Sequence, residues 1–317
     1  MQAPRIAAVL IGRNEGARLV AALAAIPHEV RPVVYVDSGS TDGSVAAAQA
    51  AGARVVRLDM SRPFTAARAR NEGFAALASD RPDYVQFIDG DCALAPGWIE
   101  TARDFLVEHP NAAVACGRRR ERFPEASVYN RLCDEEWNTP VGEARACGGD
   151  ALMRADAFAA VGGFNPGLIA GEEPELCVRL RAAGWKIHRL DAEMTLHDAA
   201  MTRFGQWWKR MRRSGHAYAE GAALHGSPPE RHFVTETRRA LLWGAAIPLA
   251  ALIGTALTPW ALLILLLWPL QILRLAPRLG LSRAAFLTIG KMPEALGVAE
   301  YWLRRIAGRR AGLIEYK

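Results

Sequence analysis

The sequence predicts an α/β fold, a mostly parallel sheet with helices on both faces, followed by an α-helical, membrane-associated C-terminal region. Three observations carry this expectation. Strand-like and helix-like segments alternate through the first 100 residues. Acidic residues fall at the ends of successive apolar runs. Residues 240–273 form a stretch of 34 positions without a charge.

Residues 6–11 read as a strand, 15–25 as a helix, 33–36 as a strand and 44–51 as a helix. Residues 54–58 follow as a short strand, 63–77 as a helix and 84–88 as a strand. In sheets of this kind ligands bind beyond the carboxyl ends of the strands, where Asp37 and Asp89 fall. A helix over 96–108 and a strand over 113–122 continue the pattern. Residues 123–150 are less regular and include Trp137 and the turn-like Cys147-Gly148-Gly149-Asp150. A helix over 173–183 ends at Gly184, and a short strand covers 185–190.

The C-terminal third reads differently. Residues 203–224 fit an amphipathic helix with Phe204, Trp207, Trp208 and Met211 near one side, broken by Ser227-Pro228-Pro229. A single straight helix over 240–273 would extend roughly 51 Å, too long for one span of the bilayer. Pro248, Pro259 and Pro269 punctuate it, so two short apolar helices joined near Pro259 are expected. Arg238 and Arg239 precede the run, and Arg274, Arg278 and Arg283 follow it. Basic flanks on both sides imply a hairpin, spanning or re-entrant, with both ends cytoplasmic. Residues 284–305 read as an interfacial helix with Trp302 on its apolar side. Arg304, Arg305, Arg309 and Arg310 would then face lipid headgroups.

Composition supports that division. Residues 1–199 carry 22 Lys and Arg against 27 Asp and Glu, a net charge of −5. Residues 200–317 carry 17 against 6, a net charge of +11. Basic residues beside an apolar run suit an anionic membrane surface, and no nucleic-acid motif accompanies them. The five cysteines form no Cys-x-x-Cys pair, which argues against a disulfide framework or a zinc site. The short apolar run at 6–11, interrupted by Arg13 and Glu15, does not match a signal peptide. The expected organisation is a catalytic domain over 1–200, an amphipathic helix and linker over 201–237, an apolar hairpin over 238–276 and a basic interfacial tail over 277–317.

Several short motifs occur in one order. Ala7-Ala8-Val9-Leu10-Ile11-Gly12-Arg13-Asn14-Glu15 opens the chain, and Val34-Tyr35-Val36-Asp37-Ser38-Gly39-Ser40-Thr41-Asp42 follows. Arg70-Asn71-Glu72-Gly73 and Asp89-Gly90-Asp91 come next. Gly162-Gly163-Phe164-Asn165, Gly171-Glu172-Glu173, Leu176 and His197-Asp198 complete the series. Carboxylates at strand ends suit a divalent metal that holds a diphosphate. Over about the first 200 residues this series resembles the family 2 glycosyltransferases with the Rossmann-like GT-A fold.

The resemblance implies a role for each motif. Asp91 would ligate a divalent metal, Mn2+ or Mg2+, with His197 as the second ligand. Asn14, Glu15, Asp37, Arg70 and Asp89 would bind a nucleotide-sugar donor, Arg70 at phosphate or the base edge and Asp89 near the ribose or sugar. Glu173 would be the general base that takes the acceptor's proton, with Glu172 orienting the acceptor or the loop. Trp137, Gly149 and Asp150 would face the acceptor. The sequence departs from the family at Glu173, where Asp is usual and the side chain is one methylene shorter. Gln206-Trp207-Trp208-Lys209-Arg210 does not match the Gln-x-x-Arg-Trp element of processive relatives.

The implied activity is inverting, metal-dependent sugar transfer to a hydroxyl. The acceptor would be a lipid-linked glycan intermediate at the cytoplasmic side of the cell inner membrane. A sugar nucleotidyltransferase would carry a Gly-rich loop with a Lys after the first strand, whereas the residues there are Gly12-Arg13-Asn14-Glu15-Gly16. A non-catalytic membrane-attached scaffold is the third reading, and only Glu173 in place of Asp favours it.

Overall fold

A computed structural model describes residues 3–308. The chain divides into two compact units, Met1–Thr202 and Arg203–Lys317.

The first unit is built on a nine-stranded sheet. Its leading strands are β1 (Ile6–Gly12), β2 (Val30–Asp37), β3 (Arg54–Arg57) and β4 (Tyr84–Asp89), in the order β3-β2-β1-β4 and all parallel. Helices α1 (Ala17–Ala24), α2 (Ser44–Ala50) and α3 (Ala66–Ala75) connect them. Residues 6–11 are buried without alternation, as a strand covered on both faces must be. Register sets the carboxyl ends level: Gly12 lies opposite Asp37, and Ile11 lies opposite Asp89.

α3 starts three residues later than the expected 63, because Thr65 caps it by accepting a hydrogen bond from the Arg68 amide at 3.1 Å. It lies hard against the sheet at Gly73. A Cβ there would run into Val9 Cγ1 and lie 2.9 Å from Val36 Cγ2. That close approach brings Arg70, on the same helix, to full burial at the strand ends.

Beyond β4 the sheet becomes mixed. The remaining strands are β5 (Cys92–Leu94), β6 (Ala112–Glu121), β7 (Gly142–Ala144), β8 (Ala151–Arg154) and β9 (Lys186–His197). β8 pairs antiparallel with both β4 and β6, whereas β6 and β9 are parallel. β5 and β7 are antiparallel to β9. Helices α4 (Trp98–Glu108), α5 (Val128–Glu136), α6 (Ala155–Ala160) and α7 (Glu172–Ala182) complete the unit. The expected strand 185–190 extends to His197, which carries that residue back beside β5.

The second unit is helical. It comprises α8 (Phe204–His225) and α9 (Val234–Leu241), which runs through a π-turn at Leu242–Ala246 into α10 (Ile247–Gly254). A 3-10 stretch at Pro259–Leu266 leads into α11 (Leu267–Leu279), followed by α12 (Leu281–Ile289) and α13 (Lys291–Ile306). The chain bends at 255–258, where the Thr258 hydroxyl accepts from the Trp260 amide at 3.4 Å. The helical stretch Pro259–Leu279 is long and apolar enough to cross a membrane by length and composition.

The expected interfacial helix over 284–305 is instead two helices parted at Gly290. α13 buries one face on α8, because Gly215 and Gly297 leave no room for a Cβ against the backbones of Glu294 and Arg212. Its other face exposes Trp302, Leu303 and Ile306. Arg304 pairs with Glu300, and Arg305 lies over the Tyr301 and Trp302 rings. Both are thus tied to their own helix. Arg309 and Arg310 lie outside the described residues.

Candidate active site

Arg70 is the centre of the crevice at the strand ends. Its Nη2 lies 2.7 Å from Asp89, and its Nη1 lies 3.0 Å from Glu172 and 2.9 Å from Glu173. α3 supplies the arginine, β4 supplies Asp89 and the first turn of α7 supplies both glutamates. Asn71 locks α3 to the segment before α7: its Nδ2 donates to the Phe164 carbonyl at 2.7 Å, and its Oδ1 accepts from the Phe164 amide at 2.9 Å. Burial opposes the charge on Arg70, but the three carboxylates hold it protonated. Both terminal nitrogens, which the sequence reading placed on phosphate or a base edge, face carboxylates here.

Glu173 has a different balance. Burial raises its pKa, the neighbouring Glu172 carboxylate adds to the rise and Arg70 opposes it, so the group is pushed up to about 7. Burial also opposes ionisation of Asp89, yet Arg70 and Arg119 hold it well below the usual carboxylate range. Two carboxylates on one arginine are thereby driven apart, one fixed as an anion and one able to exchange a proton near neutrality. Gly149 closes over this group. A Cβ at that position would lie 2.6 Å from Arg70 Nη2 and 2.9 Å from Asp89 Oδ2.

Asp150, expected to face an acceptor, is fully buried. Its carboxylate accepts from the Asp89 amide at 3.1 Å and from the Thr195 hydroxyl at 2.7 Å, and pairs with Arg119 at 2.8 Å. It shapes the floor of the crevice from below. Trp137, at the end of α5, stands edge-on to His197 with ring centroids 4.7 Å apart.

Asp91, in the turn just before β5, meets His197 at the end of β9. His197 Nε2 lies 3.5 Å from Asp91 Oδ1, and its Nδ1 lies 3.7 Å from Glu121. Asp91, Cys92 and His197 each bring one ligand atom within 4.8 Å of the others. Burial pushes the Cys92 thiol well above its usual range, and hard cations such as Mn2+ and Mg2+ prefer oxygen and imidazole donors to sulfur. A carboxylate and an imidazole remain, a donor pair suited to Mn2+ or Mg2+ rather than to a thiophilic metal. The buried His197 Nδ1 has no hydrogen-bond partner within bonding distance, and Glu121 is the carboxylate that faces it. The residues present therefore fit a divalent cation.

Asn14, Glu15 and Asp37 lie at the neighbouring ends of β1 and β2. The Asn14 amide donates to the Ser40 hydroxyl at 2.9 Å, and its Oδ1 accepts from the Thr41 amide at 2.8 Å. Asn14 thus staples the two loops together. Glu15 pairs with Arg18 at 2.8 Å, and its Cγ lies 3.2 Å from where a Cβ on Gly90 would stand. Asp37 accepts from the Gly39 and Ser40 amides, each at 3.1 Å, in an Asx turn. Asp42 makes a similar bond to the Ser44 amide at 2.9 Å. An ionised carboxylate accepts several hydrogen bonds, so Asp37 retains capacity for another donor.

Three residues of the crevice escaped the sequence reading. Arg119 spans Asp150 and Asp89 and lies over the Trp137 ring. Glu121 faces His197 and accepts from the Ala199 amide at 3.0 Å. Cys92 belongs to two clusters of candidate ligand atoms, one with Asp91 and His197 and one with Asp89 and Asp150. The alternation Arg119, Glu121 along a strand leading from the sheet is the signal that could have found the first two.

A crevice at the ends of parallel strands, with a buried arginine among carboxylates and an Asp–His pair beside it, defines a GT-A type of protein. The fold of a mannosyltransferase from Pyrobaculum calidifontis, solved with GDP-mannose and Mn2+, superposes with a TM-score of 0.66 at 19% identity, covering 94% of this chain and 88% of that one. The family model for glycosyl transferase family 2 matches residues 13–160. The succinoglycan biosynthesis protein ExoA of Rhizobium meliloti is 28% identical over 56% of this chain and 58% of its own length. A glucosyl-dolichyl phosphate glucuronosyltransferase of Haloferax volcanii is 29% identical over 31% of this chain and 37% of its own length. The chain spans about half or less of the length of these curated relatives.

Proposed function

We propose that this protein transfers a sugar, with inversion, from a nucleotide-diphosphate donor to a hydroxyl of a lipid-linked glycan at the cytoplasmic face of the inner membrane. The observation that carries the chemistry is the Arg70 cluster, in which Asp89 is held ionised and Glu173 is poised near neutrality. Glu173 takes the acceptor hydroxyl's proton as that oxygen bonds to the anomeric carbon and the nucleoside diphosphate leaves. A single base and a single displacement give inversion. Arg70 fixes the carboxylates in place, Asn14 and Asp37 shape the nucleoside end, and Trp137 with Gly149 borders the acceptor end. Asp91 and His197 would hold the divalent metal, which when bound neutralises charge on the diphosphate.

The relative ExoA, named for succinoglycan biosynthesis, and the apolar stretch Pro259–Leu279 support a membrane setting for glycan assembly. The test is Glu173→Gln assayed against a panel of nucleotide sugars. Donor affinity should change little and turnover should fall by roughly 100-fold or more. Turnover like the parent's would remove Glu173 from the mechanism.

A further inference from the structure

The second unit contains a recess of about 410 Å³ that glycosyl transfer does not use. Arg239, Trp243, Gln271, Arg274, Leu287 and Lys291 line it, and no acidic side chain does. Arg239 and Arg274 are the two charges that bracket the uncharged run 240–273. The two ends of that run therefore meet at this recess. Lys291 is balanced by Glu294 at 2.6 Å. Arg239 and Arg274 are exposed and have no ionic or hydrogen-bonding partner among the described residues.

Two uncompensated guanidinium groups at the mouth of an apolar-walled hollow select an anion attached to hydrocarbon. Guanidinium binds phosphate oxygens in a two-pronged fashion. Between the two arginines the chain exposes its most apolar surface, with Leu257 91% and Trp260 74% accessible. With that surface in the bilayer, the base of the loop lies at the level of the headgroups. We propose that this recess binds the phosphate headgroup of an anionic membrane lipid. Arg239 and Arg274 hold the phosphate, while Trp243 and Leu287 lie beside the chains. The assignment rests on the reading that this unit meets the bilayer, and it is independent of the sugar and the acceptor.

The test partitions the purified full chain between buffer and vesicles of phosphatidylcholine, with or without phosphatidylglycerol, at constant ionic strength. Phosphatidylglycerol should strengthen binding of the parent. Arg239→Gln with Arg274→Gln should lose roughly tenfold of that gain or more. Arg238→Gln with Arg278→Gln removes the same charge from neighbouring exposed positions and should lose far less. The melting temperatures of both variants should match the parent, because the substituted side chains are exposed. Equal loss in the two double variants would mean diffuse surface charge and would overturn the site. Abolition of the gain by inorganic phosphate would assign the recess to a free anion instead. A parent that binds both vesicles equally would overturn the recess and leave the bilayer reading standing. A parent that binds neither would overturn both.

Discussion

Glu173 shows how one residue acquires its chemistry from its neighbours. A base works only when ionised, and burial together with Glu172 pushes Glu173 up to about 7. Activity should therefore be low at pH 6, rise through about 7 and level off above it. Glu172→Gln removes the negative neighbour, so the folded pKa falls and the rise should move to lower pH. The pH profile of kcat/KM checks this, and a shift to higher pH would contradict the assignment. The carboxylates of this site were legible in the sequence because Asp89 and Asp91 stand where an apolar run ends, and Glu172 and Glu173 open a helix-like stretch. Arg119 and Glu121 were not, because the register of β6 shifts between Arg118 and Arg119, so alternation counted from the start of the strand does not tell which members of Arg118-Arg119-Arg120-Glu121 turn toward the crevice. The buried role of Asp150 was also hidden, since its partners Arg119 and Thr195 are distant in sequence.

Whole elements depend on single close approaches. α3 reaches the sheet only because residue 73 has no side chain. Gly73→Ala should destabilise the protein by about 1–3 kcal/mol, the usual cost of overpacking a filled interior. Denaturant unfolding measures it, and an unchanged midpoint would show that α3 can retreat without loss. Gly149→Ala differs in kind. Its Cβ would meet the tip of Arg70, so activity should fall while stability changes little. Thermal unfolding measured beside turnover separates the two effects. The parallel strands β1, β2 and β4 were visible as apolar runs, because a strand covered on both faces needs no alternation. β5 and β7 have three residues each and β8 has four, too few for any period to register. The single helix expected over 284–305 failed because Pro293 has no amide hydrogen to donate back to Ile289, which interrupts the helical ladder beside Gly290.

At the scale of the molecule, an acidic α/β unit is joined to a basic, apolar helical one. The second unit leaves Leu257, Leu263, Leu270 and Leu273 exposed, at 91%, 54%, 58% and 64%. Replacing these four with Ser should abolish flotation of the full chain with vesicles while preserving donor hydrolysis or transfer to a soluble acceptor. Undiminished flotation would show that attachment resides elsewhere. The division between the units was legible as a change in charge and hydropathy near residue 200. The packing of α13 on α8 was not, because small residues such as Gly215 and Gly297 give no hydrophobic signal.

The Arg70 cluster also bears on the order in which the fold comes together. Its arginine and Glu172 are 102 positions apart in the chain, and Ile6 of β1 and Tyr84 of β4 are 78 apart, so loop length barely separates the two. The difference lies in the return: each apolar contact between strands stabilises by itself, whereas a buried arginine returns little until its carboxylates are in place. The reaction centre should accordingly be the last region to become rigid and the first to open. In native-state hydrogen exchange, amides at the start of α7 and around Gly149 should open at lower free energy than those of β1 and β4. Equal protection would mean that the centre and its supporting sheet form as one cooperative unit.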